Sequence, residues 1–317
     1  MRQLTIVMYH YVRDLERSRY PRIKARRTAD FRAQLDYLAD HYTVVAARDV
    51  IAASRGEAEL PPNAAWLTFD DGYLDHFTTV FPLLDERGWQ GSFFAPAMTT
   101  LQGKLLDVNK IHLILASVEE PQRIVAEIGS FLEANADSTP QFASLWNEHA
   151  KPSPLDPAEV MFVKRVLQRG LPPAVRGRLV DALFKKFVSI DERTIAAETY
   201  MSLDQIKLML RSGMYFGSHG SDHLWMDSLS PQEQANEIRL SLDFLGKIGA
   251  PTADWIMCYP YGASNASLLD ILERSKCALG ITVRRGIADF TKDRPLELPR
   301  LDTNDLPVTV GRMQAAG

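Results

Sequence analysis

The feature that most constrains this 317-residue chain is an alternation of short runs rich in β-branched and aromatic residues with stretches of helical periodicity. The runs fall at 4–9, 43–46, 65–69, 92–95, 214–217, 255–258 and 278–283, with a weaker one at 297–301. Several are apolar along their whole length, as parallel strands are when helices cover one side and a barrel core lies on the other. Repeated βα units of this kind predict an α/β fold, specifically an irregular (β/α)7-8 barrel. With 46% hydrophobic residues, a chain of this length can bury such a core as one domain over 1–317.

Helix start and stop signals support the alternation. Ser202 and Gln205 have capping-box spacing, with Gly213 as the stop. Ser230 and Glu233 form a second box, and Pro231 occupies the first turn, where its missing N–H costs nothing. A helix over 77–87 should end at Gly88. Between about 104 and 199 the alternation stops. There 111–134, 157–168 and 173–188 read as amphipathic helices, with proline joints at Pro152, Pro154 and Pro172. This is a helical insertion in the barrel, either a cap over its mouth or a contact between copies.

A net charge of −4 provides no global basic field for nucleic acid. The dense basic stretch from Arg19 to Arg27 is either a solvated loop or a patch that grips an anionic substrate, where Arg22–Arg27 would suit a diphosphate. Two cysteines make no disulfide framework. No stretch approaches the ~20 apolar residues a membrane helix needs. The opening MRQLTIVMYH has too short an apolar run for a signal peptide and no cleavage site, so a cytoplasmic protein is expected.

Three polar segments follow expected strands, where barrel loops build active sites. The first is Thr68-Phe-Asp-Asp-Gly72. Two adjacent carboxylates repel each other, and a cation bound by one offsets that cost and leaves the other free as a base. Two acidic residues capping a helix would look the same. The second is Ser218-His-Gly-Ser-Asp-His223, whose histidines can meet at one ion or be satisfied locally; neutral imidazole suits Zn, Fe, Ni or Co. Adding Asp71 gives two nitrogens and one oxygen, the open form of a catalytic zinc site. The third is Cys258-Tyr-Pro-Tyr-Gly262, a turn that could offer a main-chain N–H to an oxyanion.

Taken together, these segments resemble the polysaccharide deacetylase family, carbohydrate esterase family four, with its TFDDG, H-S/T-x-x-H and R-x-P-Y signatures. The likeness runs from about Leu4 to Asp302, interrupted by the insertion. It implies a barrel of about seven βα units and a metal-dependent N-deacetylase of N-acetylated sugars. By this resemblance Asp70 is the general base and Asp71, His219 and His223 are metal ligands. Tyr261 supplies the backbone donor and helps bind substrate. The cofactor is a divalent ion, zinc first, with Co, Ni, Fe or Mn as alternatives. Two departures from the pattern matter. Cys258 replaces the arginine of R-x-P-Y, so Asp70 needs another partner, for which Arg300 is the candidate, as it also is for substrate binding. No histidine follows His223, so the leaving amine needs another acid. His10, after the first strand, is the first candidate, ahead of His76 and Asp222. Trp225 and Trp255 are candidates to shape the binding site. A cytoplasmic enzyme would meet a precursor: a sugar nucleotide, or a lipid-linked or short glycan. The rival readings are an amidohydrolase of cyclic imides or ureides, and a non-catalytic carbohydrate-binding relative.

Overall fold

A computed structural model describes residues 3–16 and 18–308 of the chain. The chain divides into two compact units. One contains the described parts of Met1–Asp14, Ala25–Lys104 and Ala196–Gly317; the other contains those of Leu15–Lys24 and Leu105–Ile195.

The first unit carries the strands β1 (Gln3–Tyr9), β2 (Thr43–Val44), β3 (Ala64–Asp70), β4 (Ser92–Ala95), β5 (Tyr215–Ser218), β6 (Trp255–Cys258), β7 (Cys277–Arg285), β8 (Ala288–Asp289) and β9 (Leu298–Asp302). Parallel pairing runs β3-β4-β5-β6-β7-β9-β1, and β1 pairs back onto β3, from Thr5 opposite Ala65 to Tyr9 opposite Phe69. The result is the expected closed parallel barrel, of seven strands. Short β2 joins β3 at Ala64 and Ala65, and β8 lies antiparallel to the start of β1. The strand expected at 214–217 begins one residue later, and β8 is an addition to the expected set.

Period-two alternation sorts the strand residues into two layers. Leu4, Ile6, Trp66, Phe94, Ile256, Leu279, Ile281 and Leu298 form one buried cluster with Val50 and Ala53 of the helix Ala47–Ser54; this is the barrel interior. Their neighbours Val7, Tyr9, Leu67, Phe69, Phe93, Phe216 and Met257 pack outward on helical residues such as Leu35, Leu38, Ile206 and Phe244. The same alternation aims Thr68 and Asp70 of β3, Cys258 of β6 and Arg300 of β9 inward. Asp70 and Cys258 are the last residues of their strands, while Ser92, at the start of β4, accepts the Trp66 indole N–H. Gly217 is fixed by close approach: a Cβ there would lie 2.5 Å from the Phe94 ring and 2.7 Å from the Ile256 carbonyl oxygen.

Both expected capping boxes are present, on Leu203–Arg211 and Pro231–Ile248. The helix expected over 77–87 opens instead with a π-helical turn, His76–Val80, followed by Phe81–Asp85. In the second unit, the helix expected over 111–134 is two helices, Asp107–Ser117 and Pro121–Ala134. Pro121 starts the second, and the residue before a proline avoids the helical region. An unexpected helix, Phe142–His149, precedes Ala158–Arg165 and Pro173–Phe187. This unit has its own apolar residues, among them Ile111, Ile114, Ile128, Phe162, Val166, Leu179 and Leu183, all buried. Lys110, also buried, is held by Asp181 and Glu192, each at 2.8 Å. No helix among the described residues is long and apolar enough to cross a membrane.

Candidate active site

Asp70 ends β3, and both its oxygens are taken by one guanidinium: Arg300 donates Nη1–H to Oδ1 at 2.9 Å and Nη2–H to Oδ2 at 2.7 Å. The arginine also donates to Thr68 Oγ1 and to the Thr282 carbonyl, so its fork is fixed from both sides. Both side chains are almost entirely buried, at 0% and 2% exposure. Burial alone would push the Asp70 carboxyl up; the charge and hydrogen bonds of Arg300 outweigh it and hold it at about 2. Arg300 therefore orients Asp70, as one of its two expected roles requires. The other role fails, because a fully buried guanidinium cannot touch substrate. Cys258 leaves room here, and its sulfur lies 3.4 Å from Arg300 Nη2.

Asp71 turns the opposite way. Its Oδ1 lies 3.3 Å from His219 Nε2 and 3.2 Å from His223 Nε2, and one ligand atom from each residue lies within 4.8 Å of the other two. Oδ1 is nevertheless without a hydrogen-bond partner among the described groups: the distances suit a bond, but the angles do not. His219 donates its Nδ1–H to the Cys258 carbonyl at 2.7 Å, which leaves Nε2 as the lone-pair nitrogen facing Asp71. Acceptors converging on one point, rather than on one another, fit a cation. Two nitrogens and one oxygen, all buried, are the donor set of an open zinc-type site. Burial would raise the Asp71 carboxyl, but the two imidazoles hold it well below its ordinary range.

The backbone is strained at this point. Asp71 (φ 72°), His223 (φ 55°) and Tyr261 (φ 59°) are non-glycine residues in the left-handed region, one from each of the three polar segments. Gly72, between Asp71 and Tyr73, shares that conformation at φ 68° and could not carry a side chain: a Cβ would meet Ala95 Cβ at 2.6 Å.

Two supporting residues carry no motif that singles them out. Tyr73 donates its hydroxyl to Asp71 Oδ2 at 2.6 Å and stacks on Tyr11, 3.9 Å between centroids. Glu237, on the helix Pro231–Ile248, accepts the Ser221 and Asp222 N–H groups at 2.9 and 3.1 Å and thereby braces the histidine loop. Tyr73→Phe leaves a buried carboxylate oxygen without its donor. We expect metal affinity to fall about 10–100-fold while metal-saturated turnover stays near wild type; unchanged affinity in a competitive chelator titration would refute this role.

His10 follows β1 with its Nε2 3.9 Å from Asp70 Oδ2 and a side chain 42% exposed, so it meets Asp70 from the solvent side. His76 is fully buried and does not face the site, which removes it as an acid. Asp222 is engaged by Lys104, so it braces its loop. Trp225 stacks on Tyr261 (4.3 Å, 4°), whose ring meets His223 edge-on at 4.7 Å. Trp255 lies in the outer core, its indole N–H on the Ser275 carbonyl, so it lines no site. The basic stretch is dispersed into separate contacts: Arg22 on Glu119, Lys24 on Asp156, Arg26 on Thr303 and Asn304, Arg27 on Asp30. Arg22 and Lys24 line one pocket together with His112 and Lys164.

A family model described as polysaccharide deacetylase matches residues 180–279. That stretch is similar to the polysaccharide deacetylase family. The matched stretch holds His219, His223, Cys258 and Tyr261, and the fold brings Asp70 and Asp71 to them. Over 69 residues the chain is 39% identical to the poly-beta-1,6-N-acetyl-D-glucosamine N-deacetylase of Escherichia coli (strain K12), a match spanning 22% of this chain and only 10% of that relative's length. The fold of this chain is similar to that of the Streptococcus pyogenes deacetylase PplD in complex with acetate, with TM-score 0.59, 18% identity, and 95% and 92% of the two chains covered. It is also similar to IcaB from Ammonifex degensii, with TM-score 0.56, 20% identity, and 95% and 91% covered.

Proposed function

We propose that this chain is a metal-dependent N-deacetylase that hydrolyses the acetamido group of an N-acetylated carbohydrate. The observation that carries the reading is the pairing of two different carboxylates: Asp71 aimed with two imidazoles at one point, and Asp70 beside it clamped by Arg300. The name of the Escherichia coli relative makes a glycan of N-acetylglucosamine the first substrate class to test. The cytoplasmic precursor, a sugar nucleotide or a lipid-linked or short glycan, is the narrower form of the same proposal.

A divalent ion held by Asp71, His219 and His223, zinc first, would polarise the acetyl oxygen and acidify a water. The chain's own residues do the rest. Asp70, ionised at neutral pH, accepts the proton that the attacking water gives up; the bidentate arginine fixes the carboxylate plane so that a remaining lone pair faces the reactants. His10, on the open side of Asp70, gives a proton to the departing amine, without which the carbon–nitrogen bond does not break. The Tyr261 main-chain N–H steadies the oxyanion, and the Trp225–Tyr261 stack offers an apolar face to a sugar ring.

Full-length protein supplied with Zn, Co or Mn should release acetate from N-acetylglucosamine oligomers, from UDP-linked N-acetyl sugars, or from both. The two arms separate glycan from precursor. Acetate from neither, with metal demonstrably bound, would refute the deacetylase reading, and ring opening of a ureide or cyclic imide, read as the new carboxylate it forms, would replace it.

A further inference from the structure

His76 is a buried titratable group that the mechanism above does not use. Its ring lies among Phe69, Tyr73 and Phe93, with centroids 5.6, 5.6 and 5.7 Å away. Its Nε2 lies 2.9 Å from the main-chain carbonyl oxygen of His10. A carbonyl only accepts, so Nε2 carries the proton and donates it. Nδ1 has no partner among the described groups, so the ring is held as one neutral tautomer. Burial pushes its pKa down to about 4, which keeps it neutral.

This placement depends on an irregular turn. The Phe81 N–H bonds to the His76 carbonyl five residues back, making His76–Val80 a π turn inside the helix that follows the Asp70-Asp71 segment. Pro82, which has no N–H to give, follows at once, so the wider turn sits where the regular ladder is broken anyway. One inserted residue rotates the helical register by ~100°, and the first residue of the turn is the one aimed at His10.

His10 needs such a fastening. It lies just beyond β1, and a freely moving loop would spread the positions of its imidazole. The next residue, Tyr11, is stacked on Tyr73, and His76 holds the peptide between them.

We propose that His76 is a positioning residue for His10: a neutral, buried N–H donor, set by a π turn, that fixes the peptide from which the acid reaches the substrate. This rests on the assignment of His10 as proton donor. The group thus acts through the backbone, and its effect should appear in turnover rather than in binding.

The test uses the full-length, metal-loaded protein with N-acetylglucosamine oligomers, measuring kcat, KM and bound metal. His76→Met fills similar space without a donor and should lower kcat about 10-fold or more, with KM and metal content near wild type. His76→Gln, whose amide nitrogen can occupy the Nε2 position, should recover most of the loss. In a His10→Ala background, His76→Met should change kcat less than twofold, because the group it positions is gone. Should His76→Met not fold, His76→Asn, whose amide reaches only the Nδ1 position, takes its place with the same expected outcome. A His76 variant lacking the donor with wild-type kcat, or one that loses as much in the His10→Ala background, overturns the inference alone. Wild-type kcat in His10→Ala itself overturns the acid assignment and this inference with it.

Discussion

Asp71→Asn is expected to empty the site of metal and to reduce acetate release by at least ~10³-fold. The amide keeps the shape of the side chain but removes the charge that offsets two buried imidazoles around a cation. A bound ion that moves water's pKa from 15.7 to about 7 lowers the cost of forming hydroxide by roughly 12 kcal/mol, far more than any other single contribution here. Even partial loss of that contribution exceeds the ~10²–10⁴-fold assigned to general acid–base groups. Elemental analysis of the purified variant alongside an acetate assay makes the comparison. A variant with full metal content and near-normal turnover would remove Asp71 from the ligand set.

The second large effect is expected at Arg300. Arg300→Met leaves the Asp70 carboxylate buried and unpaired, and breaking one side of a buried ion pair costs about 3–5 kcal/mol. The variant should therefore unfold at clearly lower denaturant. Asp70→Asn combined with Arg300→Met removes both charges and should regain much of the stability but none of the activity. Turnover in the single variant has a pH signature whose sign follows from the site. Without the guanidinium, only His10 and His219 still oppose the desolvation of Asp70, and its pKa rises. The acid limb of the kcat/KM profile, set by the need for an ionised base, should move to higher pH. An unshifted acid limb would show that Arg300 does not tune the base. Additive rather than compensating losses in the double variant would show that the ion pair does not account for the stability cost.

Most of the fold is legible in the sequence because parallel strands buried on both sides have to be apolar throughout, and runs such as Ser92–Ala95 and Trp255–Cys258 are short, apolar and bounded. The irregular features are not legible. β8 has two residues, too few to show a period, and pairs with β1 only because the chain doubles back after β7. The π turn at His76 leaves no spacing signal beyond a proline six residues after it.

The site divides along the same line. Asp71, His219 and His223 stand in segments whose residue types already suggest a cation, and the structure brings them together. Arg300 could be nominated only by elimination, since a lone arginine near a chain end carries no pattern, and its full burial excludes the contact with substrate expected of it. Glu237 braces the histidine loop from a neighbouring helix, a relation that depends on three-dimensional proximity and has no counterpart in linear spacing; Tyr73 stands only two residues from Asp71, but a tyrosine there announces no role until its hydroxyl is seen on the carboxylate. Trp255 shows the opposite error: a large aromatic beside a motif is core unless something draws it outward.

The seam of the barrel has a consequence for biosynthesis. β1 lies between β3 and β9, so Asp70 and Arg300, 230 residues apart in the chain, face each other only once the first and last of the described strands have joined. On the ribosome, the carboxylate emerges long before its guanidinium. A nascent chain stalled before residue 300 cannot complete the base, and every abortive product released short of that point would be catalytically silent.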